Sequence, residues 1–253
     1  MKKIKISSEI TYFLAIALLS LAVAILSAAD FGISMIVAPA YLLSLKTGVF
    51  SFGQAEYAIQ AGVFIVLCLV LRRFKLVYLS SFITCLVYGA ALDLWRLIPF
   101  FNPAVTAPGS MATPLRVAMY ISGVLLTSFS VALFFKSYLY PQVYDFFVKA
   151  VSERFKVKLS ALKTGVDLSL LATSVIMSLC FFKKFVGIGW GTLIMAPING
   201  TLIGRFSRFL DKTCDFPPRF PKFAALFALE ESPSPAACAN ADVAEISGKH
   251  DGN

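Results

Sequence analysis

Apolar positions gather into long runs, separated by short polar or basic breaks. Six runs approach the length of a membrane crossing, about 20 residues. They lie at Ile10–Ala29, Phe52–Leu71, Leu76–Leu94, Val117–Phe135, Thr164–Phe182 and Phe185–Ile203. Each predicts a helix, because a lone span in hydrocarbon must satisfy its own backbone polar groups. Two shorter segments stand between the runs. Gly32–Leu45 is apolar but too short to cross. Pro141–Ala161 is amphipathic and basic. Its Phe146, Phe147, Val151 and Phe155 recur near helical spacing, with Lys149, Glu153 and Lys156 between them. This segment is expected at the interface or against the bundle. The expected fold is all-α: a polytopic membrane helix bundle of about six transmembrane helices over residues 1–212. Residues 213–253 lack periodicity and read as a disordered cytoplasmic tail, with a short apolar piece at Phe223–Leu229.

The pattern repeats. A shift of 111 residues lays Glu56 on Asp167 and Tyr88-Gly89 on Asn199-Gly200. The same shift lays Asp93 on Gly204, and Gly53 misses Gly165 by one residue. The likeness is therefore mainly one of hydropathy. Each half (about 10–97 and 115–207) reads as span, short segment, span, hinge, span. Three spans per half make the second copy enter the membrane from the opposite side. The expectation is two inverted three-helix repeats, an arrangement common in secondary transporters.

Composition sharpens the class. The chain has 253 residues, 58% hydrophobic and only 15% charged, against about 25% charged in soluble domains. The net charge of +9 raises nucleic acid as a partner, but the position of the charges argues otherwise. Lys2, Lys3, Lys5, Arg72, Arg73 and Lys75 fall on one side of the expected topology. So do Lys136 to Lys163 and the basic residues from Arg205 to Lys222. The other side keeps few. Cytoplasmic loops carry such an excess, so both termini are expected inside a bacterial inner membrane, and no nucleic acid is needed. The first run resembles a secretory signal with small residues near Ser27 and Ala29. Its length and its place in the repeat make it a retained crossing.

Chemistry is sparse. His250 is the sole histidine and lies in the tail, which removes histidine metal sites and Ser-His triads. Cys68, Cys85, Cys180, Cys214 and Cys238 form no C-x-x-C pair; cysteines in apolar spans pack as small hydrophobes. No phosphate loop is present. No catalytic residue, metal or cofactor is expected. Ionisable residues within spans tend to face the interior, which makes Glu56, Asp167 and Asp93 candidates for binding a substrate or ion. For Glu56 and Asp167 the alternative is a first-turn carboxylate favoured by the helix dipole and wetted at the interface. For Asp93 it is a local pair with Arg96, three residues on.

The last run, "GIGWGTLIMAPINGTLIG", combines Gly187, Gly189, Gly191, Gly200 and Gly204 with Pro197 and Asn199. Glycines four apart make flat stripes for close helix packing. Pro197 removes one backbone donor. Two readings follow: a kinked packing helix, or a hinged helix lining a cavity, with Thr192 and Asn199 facing substrate. This stretch resembles the G-I-G-x-G-T…G signature of the YitT/YczE-like family of bacterial multi-pass membrane proteins. "DFGISMIVAPAYLLS" resembles that family's motif after its first helix, and "KTGVDLSL" fits the acidic start of its fifth. The resemblance covers about residues 10–210 and implies a polytopic membrane protein. The short tail lacks the soluble C-terminal domain of the YitT side.

The functional expectation is an integral membrane small-molecule or ion-coupled transporter with a cavity between the repeats. The alternative is a non-transporting accessory or scaffold protein that binds partner helices or lipid. An enzyme working through carboxylates alone has no motif behind it. The partners considered are the lipid bilayer, a small-molecule substrate and a second copy of the chain.

Overall fold

The computed structural model describes residues 3–72, 78–102, 111–139, 142–157, 159–222 and 224. Among these, eight α-helices follow in order: α1 (Ser8–Ala29), α2 (Ala38–Thr47), α3 (Phe52–Leu71), α4 (Tyr78–Arg96), α5 (Thr113–Phe134), α6 (Val143–Phe155), α7 (Leu159–Phe182) and α8 (Trp190–Thr213). A short 3-10 turn, Pro99–Phe101, follows α4. The fold is an all-α bundle, as the apolar runs predict.

Local chemistry sets the helix ends. Ser7 caps α1 by accepting from the Ile10 N–H, and Asp30 closes that helix in the left-handed region at φ 54°. Ser51 and Gln54 form a reciprocal capping box on α3, each 3.0 Å from the other's backbone N–H. Gly48 ends α2 at φ 61°, a conformation glycine adopts without strain. Gly187 has φ 68°, and Gly189 is the residue before the first turn of α8. The last helix therefore starts at Trp190, later than the expected Phe185, and runs unbroken through Pro197.

Among the described residues, five helices are long and apolar enough to cross a membrane: α1, α3, α4, α5 and the Thr164–Phe182 part of α7. The sixth expected span corresponds to α8. It has 24 residues, but Asn199 interrupts its apolar half and Arg205, Arg208, Asp211 and Lys212 occupy its last turns.

Helix α1 is the centre of the bundle, packed against both α4 and α5. Helix α3 packs on α4, and α8 packs on α5. The short helices fill the gaps: α2 lies on α3 and α7, and so does α6. Helix α6 enters the bundle with its first turn leading. The Val143 N–H at its start donates to Gln60 Oε1 at 3.1 Å, and Gln60 lies near the middle of α3. Its later residues Phe146 and Val151 pack with Leu67 and Leu71 at the end of α3. The amphipathic segment thus lies against the bundle rather than along the interface, burying Val143, Tyr144, Phe146, Val148 and Val151.

The two chain ends meet at one end of the bundle. Strand β1 (Ile4–Lys5) pairs in parallel with β2 (Cys214–Asp215). The Glu9 carboxylate accepts from the Arg219 N–H at 2.9 Å, the Phe220 N–H at 3.1 Å and the Tyr138 hydroxyl at 2.9 Å. Residues 213–222 are therefore docked, against the expectation of a free tail from 213 onward. Residues 225–253 of that tail, with most of its apolar piece, lie outside the described residues.

At the far end, the loops before α2 and before α8 interlock. The Ile33 N–H donates to Gly187 O at 3.1 Å, and the Gly191 N–H donates to Phe31 O at 2.9 Å. Arg116 ties in the end of α1 through Ala29 O at 2.9 Å and Asp30 O at 3.1 Å. Burial pushes the Asp30 carboxyl above its ordinary range, against the pull of Arg116 and Lys184.

Candidate functional site

Close packing of α1 against α4 and α5 leaves an internal space on the side facing α6, α7 and α8. This cavity has a volume of about 470 Å³, within the range of small-molecule sites. Its aromatic and aliphatic walls come from α1, α4, α5 and α8, with Phe134, Phe135 and Met195 among them. Its polar lining is Ser34, Tyr88, Thr127, Gln142, Tyr144, Asp145, Thr164, Asp167, Thr192 and Asn199. These residues are more than 150 positions apart at the extremes, and the two short helices bring them together. Residues Ser34 to Val37 lead into α2, and Gln142 leads into α6.

A chain of amides runs behind the wall. Gln60 Nε2 donates to Glu56 Oε1 at 3.0 Å and to Gln142 Oε1 at 3.1 Å. Its own Oε1 accepts from the Val143 N–H. Gln60 thereby joins the middle of α3 to the buried start of α6. Glu56 and Gln60 are both fully buried. Glu56 Oε2, Tyr88 Oη, Thr127 Oγ1, Gln142 Nε2 and Tyr144 Oη have no hydrogen-bond partner among the described residues. A buried polar atom without a partner costs about 1–3 kcal/mol, and native proteins keep few of them. Tyr88, Thr127, Gln142 and Tyr144 line the cavity, so their unclaimed atoms gather around one space.

The expected site residues divide. Asp167, Asn199 and Gly200 line the cavity. Asn199 Oδ1 accepts from Ser128 Oγ at 2.7 Å, which fixes the amide. Thr192 also lines the cavity, but its hydroxyl is engaged: Oγ1 donates to Ile33 O at 2.9 Å and accepts from the Gly189 N–H at 3.4 Å. Thr192 is chiefly the clasp between α8 and the loop before α2. Glu56 lies behind the wall near Cys85, Tyr88 and Tyr144. It is not the wetted first-turn carboxylate of the simpler reading, because none of its surface is exposed.

Asp93 interacts electrostatically with Arg96, as expected, and has a second role. It accepts from Ser51 Oγ and, at 2.8 Å, from the Gly53 N–H. The carboxylate thus caps α3 from the neighbouring helix. Arg96 reaches Asn102 Oδ1 at 3.5 Å and lies 5.3 Å over the Phe52 ring.

The glycines divide as well. A side chain at Gly53 would strike Gly89 O, and one at Gly89 would strike the Tyr57 ring. Gly189 and Gly191 face Phe31 O, and Gly187 faces Tyr41. They serve the interlocked loops, not a stripe along one helix as their spacing predicts. Among the described residues, a Cβ at Gly200 or Gly204 would meet nothing within 4 Å. That pair is an open face, not a packed stripe.

Sequence reasoning missed Gln60, Gln142, Tyr88, Tyr144, Thr127 and Asp145. One signal existed: Gln60 follows Glu56 by four residues inside an apolar span, which puts both on one helix face.

A family model described as a family of unknown function (DUF6198) matches residues 6–208. No curated protein and no solved structure matches the chain.

Proposed function

The chain belongs to this family of unknown function, and we propose that it is a small-molecule permease working through the central cavity. The carrying observation is the convergence of unclaimed buried polar atoms from α4, α5 and α6 on one space. A ligand that fills the cavity supplies the missing partners. Supporting this reading, the chain is an integral membrane protein by its apolar helices.

The proposal includes two inverted repeats, α1–α4 and α5–α8. Helix contacts support this, because exchanging the halves maps most pairs onto observed pairs. The α1–α4 contact becomes α5–α8, α2–α3 becomes α6–α7, and α3–α6 becomes α7–α2. The pair α1–α5 maps onto itself. Helices α2 and α6 then read as the two half-helices that inverted-repeat transporters place at their midplane sites. We also propose kinship with the YitT/YczE-like proteins, on the Gly187–Gly204 and Asp30–Ser44 motifs. The excess of Lys and Arg near the paired termini supports placing that end in the cytoplasm of a bacterial cell. No catalytic role is assigned to any residue.

Two contacts, α3–α4 and α4–α6, break the exchange among the described residues, and the first gives the permease its gate. Helices α3 and α4 pack closely near the far end, whereas α7 and α8 make no contact of that extent among the described residues. The cavity passes between α7 and α8, where its lining residues Thr164 and Gly200 are exposed. The proposed gate closes α7 on α8 over the Gly200 and Gly204 face. The test is uptake into liposomes containing the purified chain, with a water-soluble thiol reagent applied to Asn199→Cys and Thr164→Cys variants. Uptake that the reagent blocks at both positions supports the reading. Failure of every solute to cross, with both cysteines unreactive, overturns it.

A further inference from the structure

The unclaimed atoms on the cavity's residues are alike in one respect: they can donate. Gln60 decides this for Gln142. The Val143 N–H can only donate, so the end of Gln60 that meets it at 3.1 Å is the oxygen. Gln60 Nε2 is then left to face Gln142, and donates to its Oε1 at 3.1 Å. Gln142 Nε2 is therefore a donor by necessity, because turning either amide over would set donor against donor. It does not cap its own helix and has no acceptor among the described residues. The hydroxyls of Tyr88, Thr127 and Tyr144 each add an O–H without a partner there. Thr127 differs in this from Ser128 and Ser130 beside it, which donate to the carbonyls of Val124 and Leu126 one turn back. Four unclaimed donors thus sit on residues around one space of about 470 Å³, and all four belong to neutral side chains. The charged lining residues described, Asp145 and Asp167, already have interactions within the protein.

We infer that the cavity binds an uncharged, oxygen-rich small molecule. Its carbonyl, ether or hydroxyl oxygens accept from those donors, and an apolar face lies against Phe134, Met195 and Ile203. This inference names the substrate class of the proposed permease and rests on that reading of the cavity. Two exclusions select the class. An ion of either sign gives up its hydration on entry and meets no unclaimed countercharge among the lining residues described, which is a costly exchange. A pure hydrocarbon leaves every one of the donors buried and unpaired. An uncharged molecule with several oxygen acceptors avoids both costs. The space is also many times the share of one water, about 30 Å³, so it is sized for a solute rather than for a single bridging water.

The test is equilibrium binding to the purified full chain in lipid nanodiscs, by calorimetric titration. Benzamide, benzoate and benzylammonium share a ring and differ in charge. Phenyl β-D-glucoside and uridine extend the neutral series to larger molecules with more oxygens. The tightest neutral probe is expected to exceed both benzoate and benzylammonium by about tenfold or more in affinity. Gln142→Met keeps the side chain's length and removes its donor, while Tyr88→Phe and Tyr144→Phe remove only a hydroxyl. Each should weaken that neutral probe by about tenfold. The tyrosine variants carry a second signature. The lost hydroxyl had no partner, so the empty protein should melt at the parent's temperature or above it, whereas a merely structural hydroxyl would lower it. Binding by no neutral probe, a charged probe as tight as the best neutral one, or unchanged affinity in all three variants overturns the inference. Earlier melting of both tyrosine variants shows their hydroxyls to be claimed and overturns it as well. Liposome flux separates the two readings. Neutral binding without flux keeps this site and ends the permease, whereas flux of a charged solute without neutral binding does the reverse.

Discussion

In the proposed repeat, the α3–α4 seam and its counterpart between α7 and α8 start from similar hydropathy and end in different states. Both carry glycine where the helices could meet: Gly53 and Gly89 in the first half, Gly165 and Gly200 in the second. In the first half the glycines are in use, with Gly53 against Gly89 O and Gly89 under the Tyr57 ring. In the second, neither Gly165 nor Gly200 has a neighbour among the described residues where its side chain would be. Among the positions that differ is the one occupied by Asp93 in the first half and Gly204 in the second. Asp93 reaches across to Ser51 Oγ and the Gly53 N–H and holds the start of α3. Gly204 has no side chain to do the same. Small residues thus permit close approach, but a polar cross-link is what holds the seam shut.

The largest expected effect comes from filling the closed seam. Gly53→Ala places a methyl against the Gly89 carbonyl and the Asp93 carboxylate. A rigid backbone there cannot yield, so unfolding in mixed micelles should show a loss of about 3 kcal/mol, the upper range of overpacking. A loss below about 1 kcal/mol would mean the two helices part easily. Next is the cross-link itself. Asp93→Ala removes a helix cap, worth about 1–2 kcal/mol, and should raise thiol labelling of a Tyr57→Cys reporter. Unchanged stability and labelling would show that packing alone closes the seam.

The open seam should respond in the opposite way. Gly200→Leu has room in the described state, so its melting profile should match the parent's. If the proposed gate must close over this face, liposome flux should fall about tenfold, equivalent to about 1.4 kcal/mol in the barrier. Full flux in a folded Gly200→Leu protein would remove the gate. The smallest effect is Gly200→Ala, where a helix former replaces glycine on an unpacked face. Its stability should rise by less than about 1 kcal/mol, in contrast to the loss at Gly53. Equal losses at the two positions would erase the difference between the seams.

Much of the bundle was legible before folding. The second apolar run coincides with α3, and the first, third and fourth match α1, α4 and α5 within a few residues, whereas α7 starts earlier than its run and α8 starts later and ends well beyond its run. Among the site residues, Asp167, Asn199 and Gly200 were identified by asking which polar or small residues interrupt apolar spans. Asp93 was identified, with its pairing to Arg96, but not its hydrogen-bond partners, which lie at the start of α3. Gly187 and Gly191 were misassigned for a related reason. Their four-residue spacing fits a helical stripe, but Gly187 lies in the loop against Tyr41, and Gly191, in the first turn of α8, lies against Phe31 O and Tyr120. Thr127, Gln142 and Tyr144 gave no warning, since single polar residues on amphipathic or apolar helices are common; Tyr88 appeared only as the position that the repeat lays on Asn199.

The sequence by itself determined the order of the long apolar helices and, for α1, α3, α4 and α5, their extent to within a few residues. Those depend on local quantities: apolar run length, capping side chains and glycines that accept positive φ. Only the tertiary structure decided which glycines touch, which carboxylate caps a neighbouring helix and which polar atoms face the cavity. Each of these depends on contacts between residues distant in the chain, and their cost or gain exists only once two helices have met.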